Sequence, residues 1–200
     1  MKFALATANE GKIKEMCNIL SSLGIEVVTR DELDINLDIE ETGTTFAENA
    51  RLKAVAICKL SKMPSIADDS GLVVNALNGE PGVYTSSYGG EKLTTKERYE
   101  YLLKNMENME QRNAKFVCNI VCAFPSGKEL IATGECSGSI ATIPIGDGGF
   151  GYDPVFIPDG YKKTMAELSS DEKNAISHRS KALNNFVELL KSNKSSGECV

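Results

Sequence analysis

Two adjacent carboxylates directly follow a short apolar segment, and this pair constrains the fold more than any other feature of the chain. The segment Ser65-Ile66-Ala67 is apolar enough to form a buried strand, and Asp68 and Asp69 follow it. Because removing an unpaired carboxylate from water is costly, such a pair at a strand end indicates a nearby cation or a reacting proton. Neighbouring strand residues point to opposite faces, so only one of the two can face a given cleft. The simpler alternative is an Asp-Ser-Gly turn closed by side-chain hydrogen bonds.

Length and charge favour a single soluble domain over residues 1–200 and argue against several classes of partner. The 200 residues are enough to bury a substantial apolar core. A net charge of -6 argues against general binding to nucleic acid or to an anionic membrane surface. No segment approaches the ~20 apolar residues of a membrane span, and residues 1–5 form too short an apolar run for a signal peptide. We therefore expect a cytoplasmic protein.

The cysteines are expected to be reduced thiols. No two of them form a Cys-x-x-Cys pair, and the single histidine, His178, cannot complete a zinc-finger pattern. Small thiols are common in buried helices and strands. The six cysteines are Cys17, Cys58, Cys118, Cys122, Cys136 and Cys199.

The apolar periodicity predicts interspersed helices and strands, which indicates a mixed α/β fold. Two capping boxes, Thr45-x-x-Glu48 and Thr94-x-x-Glu97, mark the starts of two helices. The predicted helices cover residues 13–23, 45–60, 94–106 and 182–190. The predicted strands cover residues 3–6, 26–28, 65–67, 72–74, 115–124, 129–133, 135–142 and 155–157.

The loop between the first strand and the first helix has the composition of a phosphate site. A strand–loop–helix junction offers backbone N–H groups and the positive end of a helix dipole. In this loop Thr7 and Asn9 can donate hydrogen bonds, and Lys12 supplies a positive charge. The loop lacks the Gly-Lys-Ser/Thr ending of a Walker motif. The alternative is an ordinary polar loop with a solvated lysine.

Carboxylates also precede the second helix, where they complement the helix dipole or hold a metal ion. Mg²⁺ is usually held by one or two carboxylates together with water and substrate phosphate, so Glu41 and Asp69 would suffice. On the helix itself Asn49 and Lys53 are four residues apart and share one face. Lys53 either extends to water or points into a cleft.

Two segments near the C-terminus contain groups that can recognise a flat ring. In Gly148-Gly149-Phe150-Gly151-Tyr152-Asp153-Pro154, Phe150 can stack on a base and Asp153 can accept a hydrogen bond from a ring N–H. The alternative is a tight turn with a core phenylalanine. Lys173, His178 and Arg179 supply donors for oxygens of a base or phosphate, unless they form a solvated helix face.

Taken together, five motifs resemble the inosine triphosphate pyrophosphatase family, also called dITP/XTP pyrophosphatases. The match runs from about Leu5 to Leu190, and the motifs are Thr-x-Asn-x-Gly-Lys, Glu-Thr-Gly-x-Thr-Phe-x-Glu-Asn-Ala, Ala-Asp-Asp-Ser-Gly-Leu, Gly-Gly-Phe-Gly-Tyr-Asp-Pro and Ser-His-Arg. The resemblance implies an α/β fold with a mixed central sheet flanked by helices, two lobes around a substrate cleft, and a homodimer. It also implies Mg²⁺-dependent hydrolysis of the nucleoside triphosphates ITP, dITP and XTP to the monophosphate and pyrophosphate. The net charge argues against a nucleic-acid or membrane partner.

The resemblance also implies a role for each matching residue. Glu41 and Asp69 would hold Mg²⁺, Asp69 would activate the attacking water, and Ser70 would contact the substrate. Lys53 would help to bind the triphosphate together with Thr7, Ala8, Asn9, Glu10, Gly11 and Lys12. The base would be surrounded by Phe150, Gly151, Tyr152, Asp153, Lys173, His178 and Arg179.

Base choice has a physical reason within this scheme. Hypoxanthine and xanthine carry an oxygen at position 6, which satisfies donors from Lys173, His178 or Arg179, whereas the amino group of adenine leaves those donors unpaired. Three alternatives remain at this point: a pyrophosphatase of the related Maf type that acts on modified pyrimidine triphosphates, a purine-nucleotide sensor without turnover and, as the remotest, a purely structural protein. The Ser-His-Arg and Phe-Gly-Tyr-Asp segments argue against the first, and the intact Asp69 and Glu41 against the second.

Overall fold

The computed structural model describes residues 2–195, within which the chain forms six β-strands and five α-helices. The helices are α1 (Glu10–Ser22), α2 (Phe46–Ser61), α3 (Thr95–Asn105), α4 (Ser170–Ile176) and α5 (His178–Ser195). The strands are β1 (Lys2–Leu5), β2 (Glu26–Thr29), β3 (Ser65–Val74), β4 (Asn113–Ala123), β5 (Glu129–Ile140) and β6 (Phe156–Pro158).

The strands form one mixed sheet in the order β2-β1-β3-β4-β5-β6. Strand β1 is parallel to β2, with Ala4 opposite Val28, and parallel to β3, with Leu5 opposite Ile66. At the other edge β6 runs antiparallel to β5. The predicted α/β fold with a mixed sheet is thereby confirmed.

Residue contacts divide the chain into two compact units. Unit 1 comprises the chain up to Asp69, Cys118–Gly134 and the chain from Arg179 onward, and unit 2 comprises Ser70–Val117 and Glu135–His178. The single domain over residues 1–200, and the substrate cleft, stay predictions.

Unit 1 has an apolar layer on each face of its part of the sheet. Alternation along β3 assigns neighbouring side chains to opposite layers, since Ile66 packs with α1 and α5 while Ala67 packs with α2. The layer with α1 and α5 contains Met16, Leu20, Leu183 and Phe186, and the layer with α2 contains Ala50, Ala54 and Ile57. Asp68 and Asp69 follow in the same strand, so they too point to opposite layers.

Unit 2 has its own apolar core around aromatic side chains. Phe116 of β4 packs against Phe156 of β6, with ring centroids 4.6 Å apart. The core also contains Leu72, Val74, Leu102, Met106, Tyr152 and Met165.

Helix starts follow the sequence signals. The capping boxes at Thr45 and Thr94 are both present, with reciprocal bonds to Glu48 and Glu97. Helix α4 was missing from the predicted elements, although Ser169 and Glu172 form a further capping box at its start.

Two strand predictions were wrong in extent. The strands predicted at 129–133 and 135–142 are one continuous strand, β5, which passes through Gly134. The carboxylate pair does not end a strand either, because β3 continues through Asp68 and Asp69 to Val74. Both carboxylates have cationic partners in unit 1, so their burial does not interrupt the strand.

The cysteines that the structure describes are free thiols, as expected: Cys17, Cys58, Cys118, Cys122 and Cys136. Burial raises the pKa of Cys118 to about 12, which keeps this thiol protonated and unreactive near neutral pH. Cys199 lies outside the described residues. No helix within residues 2–195 is both long enough and apolar enough to cross a membrane.

The pairing of β5 with β6 depends on a glycine, which generates a stability prediction. A Cβ atom added to Gly138 would lie 2.2 Å from the carbonyl oxygen of Ile157 and 2.7 Å from Cζ of Phe156. Gly138→Ala should therefore lower the free energy of unfolding by about 2 kcal/mol, measured by urea denaturation. Ser137→Ala, at an exposed neighbouring position, should change it by less than about 0.5 kcal/mol. Equal stability of the two variants would contradict the close approach.

Candidate active site

The carboxylate of Asp69 is held by two side chains from one face of α2. Asn49 donates from Nδ2 to Oδ2 of Asp69 at 3.3 Å, and Nζ of Lys53 lies 3.5 Å from Oδ1. Nζ of Lys53 also donates to Oε2 of Glu41 at 3.0 Å. Asp69, Asn49 and Lys53 are all buried, whereas Glu41 is largely exposed. One buried ammonium group therefore lies between two carboxylates.

Burial and charge set the protonation of this cluster. Burial is the main cause that raises the pKa of Asp69 above its ordinary value, and Lys53 and Lys12 only partly oppose it. Burial also disfavours the charged form of Lys53, but the carboxylates of Asp69, Asp68 and Glu41 outweigh it and raise the pKa of the ammonium group. Lys53 is therefore positively charged at neutral pH, and Asp69 is a stronger base than an exposed aspartate.

The donor set of the cluster suits a hard divalent cation. Carboxylate oxygens are the ligands that Mg²⁺ prefers, and it needs only one or two of them when water and phosphate complete its coordination. Glu41 and Asp69 both contact Lys53, so two carboxylates lie close together with a single lysine to neutralise them. No group of three His, Cys, Asp or Glu residues with metal-binding geometry occurs among residues 2–195. Two carboxylates are compatible with a hard cation that takes its other ligands from water and phosphate.

Asp68 lies on the opposite face of β3 and has a different set of partners. Its Oδ2 is 3.1 Å from Nζ of Lys12 and accepts from Nη2 of Arg179 at 3.0 Å. A second Arg179 nitrogen, Nη1, donates to Glu15 of α1. Asp68 is fully buried, which disfavours its charge, but Lys12 and Arg179 hold its pKa well below the usual range. Asp68 therefore stays ionised and anchors Lys12.

The loop before α1 is held by its own side chains. The hydroxyl of Thr7 accepts from the backbone N–H of Asn9 at 3.2 Å, and Oδ1 of Asn9 accepts from the N–H of Lys12 at 3.1 Å. These two bonds use only the side-chain oxygens of Thr7 and Asn9 as acceptors and do not involve their side-chain hydrogens. Thr7 is buried, Gly11 is half-buried, and Ala8 and Glu10 are exposed.

In unit 2, four of the predicted base-binding residues lie in the segment 150–153, and Lys173 packs against this segment. Asp153 accepts from the backbone N–H of Phe150 and from Nζ of Lys173, both at 2.7 Å. The same Nζ lies 4.6 Å from the centroid of the half-exposed Phe150 ring. Tyr152 is buried and donates from its hydroxyl to the carbonyl oxygen of Thr85 at 3.0 Å, and Gly151 connects it to Phe150.

His178 and Arg179 belong to different local environments although they are adjacent in sequence. Ser177 has an extended backbone and separates α4 from α5. In unit 2 the ring of His178 stacks on Phe116, with centroids 4.8 Å apart and planes 14° apart. In unit 1 Arg179 is buried against Asp68 and Glu15. The contact of Arg179 with a base stays a prediction, as does the contact of the half-buried Ser70 with substrate.

Sequence reasoning missed several residues of these clusters. Glu15, Asp68 and Phe116 received no role, and Asn49 was noted only as a neighbour of Lys53. The signal for Asn49 was its four-residue spacing from Lys53, and for Asp68 it was strand alternation. No sequence signal connects Glu15 with Arg179, because that contact spans 164 positions.

The fold and the clusters together define an α/β protein with a site of carboxylates and lysines. The lysines suit a phosphate anion, and the carboxylates suit a hard cation. A family model described as Ham1 family matches residues 3–189. The chain belongs to the Ham1 family, and the predicted resemblance to the dITP/XTP pyrophosphatases is confirmed.

Relatives with names and solved structures agree with this assignment. The chain is 50% identical to the dITP/XTP pyrophosphatase of Aquifex aeolicus, over 96% of this chain and 97% of that one. It is 46% identical to the enzyme of the same name from Geobacillus kaustophilus, over 94% and 93% of the two chains. The Ham1 protein of Staphylococcus aureus superposes with a TM-score of 0.86 at 41% identity, covering 96% of this chain and all of that one. A HAM1 protein from Coxiella burnetii gives 0.87, also at 41% identity, covering 96% of this chain and 99% of that one.

The partners of Asp68 generate a pH-dependent stability prediction. Its pKa is lower in the folded than in the unfolded protein, so its stabilising effect is complete above about pH 4 and is lost as the pH falls further. Asp68→Asn should cost about 3 kcal/mol of unfolding free energy at pH 7, because Arg179 loses a buried partner. Urea denaturation between pH 7 and pH 3 should show this difference shrinking below pH 4. A difference that is absent at pH 7, or unchanged at pH 3, would contradict the role of Asp68.

Proposed function

We propose that this chain hydrolyses the deaminated purine nucleoside triphosphates ITP, dITP and XTP to the nucleoside monophosphate and pyrophosphate. The observation that carries the proposal is the buried pair of Asp69 and Lys53, with the exposed Glu41 bonded to the same lysine, in a member of the Ham1 family. The names of the relatives support the same activity. The family match also favours this reading over the Maf-type alternative.

The lysines and the loop before α1 bind the triphosphate. Lys53 is charged and buried, and Lys12 is fixed by Asp68, so both ammonium groups are preorganised for phosphate oxygens. The side chains of Thr7 and Asn9 donate hydrogen bonds to the same anion, and the start of α1 adds its N–H groups. These contacts hold the outer phosphates as the leaving group.

Asp69 activates the water that attacks the α-phosphorus. Its burial makes it a better proton acceptor, and Asn49 and Lys53 fix its orientation. The water oxygen bonds to the α-phosphorus, its proton passes to Asp69, and the bond from the α-phosphorus to the bridging oxygen breaks. Glu41 and Asp69 would hold Mg²⁺, which when bound neutralises charge on the phosphate oxygens.

The residues of unit 2 recognise the base. Phe150 offers a half-exposed ring for stacking, and Lys173 is held by Asp153 beside that ring. The 6-oxo group of a deaminated purine accepts from Lys173 or His178, whereas an adenine amino group leaves those donors unpaired. Such a site can reject the wrong analogue by ~10⁴-fold. Arg179 is also predicted to contact the purine base. In addition, its bond to Asp68 helps to hold the carboxylate that fixes Lys12.

The nucleoside triphosphate is the partner of this chain, the working protein is a cytoplasmic homodimer, and Mg²⁺ is its metal.

The substrate proposal is tested with ITP, dITP, XTP, ATP, GTP and dTTP in the presence of Mg²⁺, with pyrophosphate and phosphate measured separately. Pyrophosphate release from the first three alone supports it, and comparable release from ATP contradicts it. Binding of ITP without any product would favour the nucleotide sensor.

Replacement of Asp69, the proposed proton acceptor, should abolish most turnover. Asp69→Asn removes the proton acceptor while keeping the shape of the side chain, so kcat for ITP should fall by ~10³-fold with little change in KM. Steady-state kinetics at saturating Mg²⁺ measures this effect, and circular dichroism reports whether the fold is retained. Asp159→Asn, at an exposed aspartate of unit 2, is the matched control and should keep the wild-type kcat. A nearly unchanged rate in Asp69→Asn would rule out the assignment.

A further inference from the structure

We propose that Asn49 is a positioning residue that fixes the carboxylate of Asp69 relative to the segment that carries Glu41. The inference rests on the proposed function, in which Asp69 and Glu41 act together on one substrate. Asn49 lies at the start of α2, is 3% exposed, and does not itself touch the reacting atoms in this scheme.

The amide of Asn49 bonds in two directions at once. Its Nδ2 donates to Oδ2 of Asp69 at 3.3 Å, and its Oδ1 accepts from the backbone N–H of Gly43 at 2.8 Å. The N–H of Gly43 can only donate, so the amide oxygen must face Gly43 and the amide nitrogen must face Asp69. An aspartate at this position keeps the acceptor and lacks the donor, and a leucine of similar size lacks both.

The segment that carries Glu41 lies so close to α2 that a side chain at residue 43 is excluded. A Cβ atom on Gly43 would lie 2.6 Å from Oδ1 of Asn49 and 2.6 Å from Cβ of Glu48. Residue 43 must therefore be a glycine because its backbone N–H approaches Asn49 too closely for a side chain to fit. A left-handed backbone is not the reason. This contact gives a physical reason for a glycine six residues before the asparagine in this sequence.

Asn49 and Lys53 make parallel links that differ in kind. Each contacts Asp69, and each also contacts the segment of residues 41–43, through Gly43 and Glu41 respectively. Lys53 supplies charge on a flexible stem, while the short, planar amide of Asn49 fixes direction. Loss of Asn49 therefore leaves the charge in place and lets the carboxylate of Asp69 rotate away from its productive orientation.

A purely structural role for Asn49 is separated from positioning by a neighbouring control. Glu48 accepts from the N–H groups of Thr44 and Thr45, so Glu48→Ala also loosens the junction between this segment and α2 but leaves the bond from Asn49 to Asp69 intact. If Asn49 only ties the segment to the helix, variants at the two positions should have similar kinetics. If it positions Asp69, only the Asn49 variants should lose turnover.

The test uses the full chain with Asn49→Asp, Asn49→Leu and Glu48→Ala. Both Asn49 variants should lower kcat for ITP by ~10- to 100-fold with KM changed less than ~3-fold, because Asp69 is a proposed metal ligand and the outer partners of metal ligands have effects of this size. Glu48→Ala should keep kcat within ~3-fold of wild type. As a readout besides activity, electron paramagnetic resonance of Mn²⁺ with α,β-imido-ITP should show ~10-fold weaker metal binding in Asn49→Leu.

Two results would overturn the proposal: wild-type kcat in Asn49→Leu, or an equal loss in Glu48→Ala. In the first case a loss seen only in Asn49→Asp would be an effect of the added charge, and in the second the loss would be an effect of the junction. Wild-type protein that releases no pyrophosphate from ITP, dITP or XTP would instead contradict the proposed function, so the two failures are distinguishable.

Discussion

Burial of two adjacent carboxylates in one strand is the constraint on which the rest of unit 1 depends. Asp68 and Asp69 are both buried, and each ionised group needs a cation or a strong donor to remain in the core. Because they point to opposite faces, the helices on both sides of the sheet must supply those partners. Helix α1 contributes Lys12, α5 contributes Arg179, and α2 contributes Asn49 and Lys53.

The pKa values of the two carboxylates shift in opposite directions, although both groups are aspartates. Two cations within salt-bridge distance overcome the desolvation of Asp68 and keep it ionised, which makes it an anchor for Lys12. Asp69 has a single lysine at 3.5 Å and the further negative charge of Glu41, so desolvation prevails and its basicity rises. Division of roles within the pair therefore follows from the number of cations on each face of the strand.

Much of this arrangement could be predicted from local signals, and the exceptions have physical reasons. The capping boxes at Thr45 and Thr94 and the apolar periods located α2, α3 and β4, because these signals act within a few residues. The division of β5 at Gly134 was wrong because pairing with neighbouring strands overrides a weak local preference. Lys53 and Asp69 were identified by chemistry and by family resemblance. The bond between Arg179 and Asp68 spans 111 positions, and no local pattern encodes it.

In the proposed reaction, water activated beside Asp69 attacks the α-phosphorus, and isotope labelling identifies the phosphorus atom that is attacked. ITP is hydrolysed by the wild-type protein in ¹⁸O-labelled water with Mg²⁺, and the products are separated and analysed by mass spectrometry. We predict one ¹⁸O atom in IMP and none in pyrophosphate. Label in pyrophosphate, or inorganic phosphate as the first product, would contradict this account of the site.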